Sequence, residues 1–321
     1  MSDSFKIYLL IFVLFTICVL LGFNYVFAED NKIGYQFSFK FGGKGSQDGQ
    51  LMNPHSIDID RNGNVYVTDT GNNRIQKFNS DGKFILKWGE TGSNDGQFLK
   101  LHDVAVDPSG KYVYTLELKN HRVQKFTSTG EFILKWGFES TGGRGSDRTP
   151  HQLSIDSNGF VYLSDMNGNQ ILKFDKDGKF IKVLGFKGSG EGQFIHPHGM
   201  VFDSNNNMYI TDMGNHRIQV FDNNFSLITQ WGSYGNGPTQ FLKTFPGIDY
   251  FDKENILVVV DKTSANVKLF DNKGQFITNF GTKGKEDGQF NRPEDLAVDP
   301  KGRIFITDTG NSRIQVFDKI Q

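Results

Sequence analysis

NPHSIDIDRNGNVYVTDTGNNRIQKFNSDGKFILKWG, residues 53–89, decides the fold. It holds four short apolar-rich runs, Ser56–Asp60, Val65–Asp69, Arg74–Phe78 and Phe84–Trp88, separated by Asn-Gly, Asn-Asn and Asp-Gly. Phe84, Leu86 and Trp88 alternate with Ile85 and Lys87, which is the period of a strand with two distinct faces. The intervening dipeptides suit hairpins that need positive φ. The unit is therefore a four-stranded antiparallel sheet.

That unit recurs along the chain. An aromatic-Gly or Leu-Gly pair stands at Phe41-Gly42, Trp88-Gly89, Trp136-Gly137, Leu184-Gly185, Trp231-Gly232 and Phe280-Gly281, at intervals of 47, 48, 48, 47 and 49 residues. Residues 188–221 repeat the whole order as GSGEGQF, HPHGMVFD, NNNMYITD and MGNHRIQVF. Six units of four strands predict an all-β, six-bladed β-propeller over residues 29–321. After Gly281 only 40 residues remain, enough for three strands ending at Arg313–Phe317. Residues 34–42, GYQFSFKFG, match Gly82–Gly89 and supply the fourth. The N-terminal strand 35–41 is thus expected to complete the last blade, because an open ring would leave sheet edges unpaired. Phe37, Phe39 and Phe41 share one face, and their burial is expected to contribute roughly 5–9 kcal/mol before chain entropy is charged.

Composition agrees. Aromatics make up 14% of the chain, with 31 Phe and 37 Gly, as many short strands and tight turns require. Formal net charge is −1, which offers no electrostatic basis for wrapping a polyanion. Residues 7–23, IYLLIFVLFTICVLLGF, follow Lys6 and precede Val26-Phe27-Ala28. This is the pattern of a secretory signal peptide over residues 1–28, with an uncleaved membrane anchor over 7–28 as the alternative. Either reading makes the protein secreted or membrane-anchored, and extracytoplasmic. The single cysteine, Cys18, lies in this segment, so the remainder has no disulfide and no thiol nucleophile.

The pattern P-x-x-apolar-x-apolar-D, then G, Y-V-T-D and N-x-R-I-Q-x-F, is similar to the NHL repeat. It stands almost complete at Pro54–Phe78, His196–Phe221 and Pro293–Phe317. Blade two has Leu101 for Pro and Glu117 for Asp, while blades three and five have Gln170 and Asn266 in the Arg position. The resemblance implies the fold; the family spans scaffolds, sensor ectodomains, RNA binders and a lyase, so it implies no single activity.

Chemistry-bearing residues fall into three sets. Asp69 with Arg74, Glu117 with Arg122, Asp212 with Arg217 and Asp308 with Arg313 flank one hairpin turn and read as structural ion pairs, the alternative being a charged ligand-binding face. Arg144 and Arg148, in an insert unique to blade three, would extend that face. Asp48, Asp95 and Asp287 resemble calcium-loop acids, but each stands alone in an Asp-Gly turn and calcium needs six or more oxygens. Most informative are His55, His102, His151 and His198, which occupy one repeat position after the Pro slot, with Gly247 and Glu294 in the other two blades. This position precedes the innermost strand and should ring the mouth of the central channel as a ligand-binding site.

His102, His198 and Glu294 lie 96 residues apart in turn, hence on alternate blades, and two His with one carboxylate form a catalytic zinc pattern. The resemblance to peptide α-amidating lyases, which hold zinc with Pro-His histidines from alternate blades, makes these three the candidate metal ligands. Three functions follow as expectations: a scaffold binding a protein, glycan or small molecule on its loop face; a zinc-dependent lyase or hydrolase; or an RNA binder. The interleaved acids Asp48, Asp95, Glu191 and Asp287 speak against nucleic acid.

Overall fold

The computed structural model describes residues 33–138, 149–243 and 245–320. The leader expected at residues 1–28, and Arg144 and Arg148, lie outside them. Six four-stranded antiparallel sheets account for almost every regular element. Their innermost strands are Pro54–Ile59, Leu101–Val106, Pro150–Ile155, Pro197–Phe202, Ile248–Phe251 and Pro293–Val298. Each touches the next in cyclic order and the last touches the first, so the ring is closed. Among the described residues no helix is long and apolar enough to cross a membrane.

Closure follows the expected route. Gly34–Gly42 pairs antiparallel with Arg313–Ile320, from Gly34 opposite Ile320 to Gly42 opposite Arg313. Phe39 and Phe41 share a face with Val316 and Ile314, but a bulge between Phe37 and Phe39 turns Phe37 to the opposite face beside Phe317, against the expectation of one common face; each is only half-buried, as befits an outermost strand. About half of the expected burial energy is therefore realised. The alternation of the outer strands is as read: Phe84–Trp88 and Leu227–Trp231 bury every second residue.

Between blades, side chains do the joining. Trp88, Trp136 and Trp231 end their outer strands by lying over Gly130, Gly178 and Gly274 in the next blade's turn, where a Cβ would come within 2.3–2.8 Å of the indole. On the inner strands, Ser56 Oγ accepts the Val104 N–H at 3.4 Å, Gln152 Oε1 accepts the Met200 N–H at 2.5 Å, and Asp295 Oδ2 accepts the Ile57 N–H at 3.2 Å. Asp103 accepts the Leu153 N–H in the same way. Asp58 and Asp249 repeat the device lower in the channel, accepting the Val106 and Val298 N–H groups at 2.6 Å. Inner strands of adjacent blades are not paired in a common sheet, so their facing N–H groups need such acceptors.

Candidate functional site

The four histidines come together as expected. His55 and His102 have ring centroids 3.9 Å apart, His102 and His151 4.8 Å, and His151 and His198 5.1 Å. They form an arc across four consecutive blades, each being the second residue of its inner strand. The rest of the ring differs from the sequence reading. In blade five, Ile248 pairs with Val259 as Ile57 pairs with Val67, so Gly247 corresponds to Ser56 and the histidine position belongs to Pro246. Gly247 packs where its Cβ would lie 2.7 Å from the Asp295 Cα, which only glycine tolerates.

Glu294 closes the ring, but its carboxylate is engaged: Lys262 Nζ stands 2.5 Å from Oε1, and Arg292 3.9 Å away. Among the described residues no group of three or more His, Cys, Asp or Glu side chains is disposed to hold a metal ion. The set His102, His198 and Glu294 therefore does not fit zinc, since one member is a lysine's partner and the imidazoles follow one another along an arc, tilted or edge-on, rather than converge. Calcium fares no better. Asp48 is paired with Lys87, Asp95 with Lys135 at 2.6 Å, and Asp287 with Lys40 at 2.5 Å, each in a separate loop.

Burial, reinforced by neighbouring imidazoles and by Lys262, pushes His55 down to about 3; burial and Lys100 push His151 down to about 4. His102 and His198 are held well below the usual imidazole range, first by burial and then by the other histidines. All four are neutral at pH 7. Nδ1 of His55, His102 and His198 is buried without a hydrogen-bond partner. Below this tier lies a cavity of about 160 Å³ lined by Asp58, Asp249 and Asp295. Burial pushes the Asp58 carboxyl up to about 7 and Asp249 to about 8. Asp103 and Asp295 are also raised, by burial and, for Asp295, by the proximity of Asp103. Sequence reading missed this acid tier because it fills two repeat positions, Asp58 with Asp249 and Asp103 with Asp295, each acidic in only two of six blades.

A pH dependence follows. An imidazole near 6.5 in the unfolded chain and about 3 in the folded one binds its proton only on unfolding. Stability contributed by keeping it neutral is present above pH 6.5 and is lost as pH falls toward the folded value. Wild type is expected to lose about 2 kcal/mol relative to His55→Asn between pH 7 and pH 5, measured by urea melts at both pH values. The comparison with the variant cancels the opposing contribution of the buried acids.

The four arginines are not a ligand-binding surface. Arg74 Nε donates to Asp69 at 2.7 Å, and its other nitrogens donate to the carbonyls of Ser46, Gln47 and Gln50 at 2.8–3.0 Å. Arg122 with Glu117 and Arg313 with Asp308 repeat the clamp at 2.7 Å, and Arg217 with Asp212 at 2.9 Å. Each guanidinium stitches the preceding inter-blade loop to its blade. In blade five Lys268, buried and two residues beyond Asn266, reaches Asp261 at 3.3 Å and the Gln240 carbonyl instead. That substitute was not visible in the sequence, since it occupies the glutamine position.

Comparison with known proteins agrees with this architecture. A family model described as the NHL repeat matches residues 51–78 and 290–317, and one described as a 6-bladed beta-propeller matches residues 150–231. Protein lin-41 of Caenorhabditis elegans is 51% identical over 45 residues, 14% of this chain and only 4% of that protein. Among solved structures, a Streptogramin B lyase has 15% identity and a TM-score of 0.61, covering 89% of this chain and 98% of that one. The virginiamycin B lyase of Staphylococcus aureus has 18% identity and a TM-score of 0.59 over 89% and 88% of the chains. A protein of unknown function from Bacteroides thetaiotaomicron has 14% identity and a TM-score of 0.68 over 90% and 76%. At these identities the likeness is one of fold.

Proposed function

With a six-bladed β-propeller carrying NHL repeats as the premise, we propose that this protein is a non-catalytic binding scaffold acting outside the cytoplasm. Its recognition site is the channel mouth framed by His55, His102, His151 and His198. The observation that carries this reading is the unpartnered, buried Nδ1 on three of the four imidazoles. Buried polar atoms in proteins nearly always have partners, so these three mark hydrogen-bonding capacity directed at something else. Being neutral, the rings can donate or accept according to tautomer. Lys100, Lys262 and Arg292 act on the same histidines from close by, against Asp165 beside His151 and Glu294 in the ring, which Lys262 already neutralises. A carbonyl-rich or carboxylate-bearing segment of a protein partner suits such a mouth. Export is supported by the apolar segment 7–23. A metal-dependent lyase or hydrolase is disfavoured because Glu294 is already paired.

The test is selection. A random peptide library panned on the immobilised domain, with counter-selection on a His102→Phe, His198→Phe double variant, is expected to yield binders at least tenfold tighter for wild type. Binders that prefer neither protein, with both correctly folded by circular dichroism, would overturn the assignment to the mouth.

A further inference from the structure

The seam between blades three and four breaks the pattern of the three tryptophan-latched seams at two linked places. Leu184 stands where Trp88, Trp136 and Trp231 end the outer strands of their blades, and Phe225, at φ 66°, stands where Gly130, Gly178 and Gly274 receive them. Large-over-small has become small-under-large. The Phe225 ring turns inward and stacks on Phe221 at 4.3 Å. A cavity of about 210 Å³ opens beside it, lined by residues of both blades including Lys173, Lys182, Asn158 and Asn224. It lies at the end of the blades carrying the hairpin turns Asp156–Phe160 and Asp222–Ser226, opposite the histidine mouth.

Lys173 is the telling residue. Its counterparts in the preceding blades bridge the seam: Lys77 donates to the Ser128 carbonyl at 3.3 Å, and Lys125 to the Lys176 carbonyl at 2.9 Å. Lys173 lies over the Phe160 and Tyr162 rings at 4.1 and 4.9 Å, and among the described residues has no hydrogen-bond or ion-pair partner. Directly across the strand pair it faces Lys182, whereas Lys77 faces Leu86 and Lys125 faces Leu134. Like charges opposite each other in a sheet are destabilising. Among the described residues no carboxylate forms an ion pair with either lysine: Asp156, whose charge favours the Lys173 ammonium from nearby, is held by its own turn and by Tyr162 Oη at 2.9 Å, and Asp222 accepts from Asn224 and Ser226 N–H.

We infer that this seam is a binding site for a small ligand bearing a compact oxyanion, carboxylate or phosphate, held between Lys173 and Lys182. An anion there supplies both ammonium groups with the partner the chain withholds, through charge-assisted hydrogen bonds. The aromatic floor and the asparagine amides leave room for a polar, sugar-sized remainder. The site is separate from the channel mouth and stands or falls without it.

The experiment uses the full exported domain and thermal melts in inorganic phosphate, in glucuronate, and in sodium chloride at matched ionic strength. At least one oxyanion is expected to raise the melting temperature saturably beyond chloride; a response to phosphate alone or glucuronate alone identifies which group the site takes. Lys182→Leu, which copies blades one and two, is expected to melt higher than wild type without oxyanion and to bind it roughly tenfold more weakly or worse. Lys173→Met loses the response as well, and the latch-restoring pair Leu184→Trp, Phe225→Gly removes it by filling the cavity. If neither oxyanion exceeds chloride, or if Lys182→Leu responds as wild type does, the inference fails. A merely electrostatic surface effect would survive the latch-restoring pair.

Discussion

A chain lacking residues 31–42 is expected to lose cooperative melting and to aggregate. The deleted strand is the only outer strand blade six has, and it pairs along its whole length with Arg313–Ile320. It also ties neighbours together: Tyr35 stacks on Phe280 of blade five at 5.6 Å, and Phe41 packs on Phe78 of blade one at 4.8 Å. The half-buried aromatics and the lost ladder together amount to about 5 kcal/mol or more, comparable to the whole stability of a domain. Deletion also bares the edge of Arg313–Ile320, a template for pairing with other chains. Circular dichroism melts and light scattering read both effects, and adding a peptide of residues 33–44 should reduce the aggregation. A monomeric truncated protein with an unchanged, sharp melt would show that the ring does not depend on this strand.

Asp69→Ala is expected to cost about 3–5 kcal/mol, against no more than about 0.5 kcal/mol for Asp48→Ala. Both acids face a cation, but their surroundings differ. Asp69 is fully buried and accepts four hydrogen bonds, from Met52 N, Asn72 Nδ2, Arg74 Nε and Gln76 Nε2, at 2.7–3.0 Å. Removing it leaves a nearly buried guanidinium without its countercharge and frees the loop that Arg74 ties down. Asp48 and Lys87 are about half exposed, so water screens their attraction and replaces either partner. Urea denaturation of the two variants decides the matter, and equal losses would contradict the clamp.

The turns, the two-residue alternation and the 47–49-residue spacing are properties of contiguous chain, and they sufficed for strands, blade count and the closing role of Gly34–Gly42. The histidine arc was equally legible, because a repeat places equivalent positions around one axis whatever else the blades contain. What each side chain meets there was not. Pro246, rather than Gly247, occupies the ring in blade five because strand register, not spacing from a proline, assigns equivalence. Glu294 binds Lys262, 32 residues earlier, which no spacing rule links to it. Lys268 takes over an arginine's duty from a different position, and Leu184 with Phe225 exchange sizes across a seam, because packing constrains the pair and leaves either member free to vary. The amino-acid sequence alone thus determined a closed disc of six sheets and the gathering of the histidines. Only the tertiary structure decided which charges are neutralised and which cavity stays open, since those depend on atoms meeting across blades and on water being excluded between them.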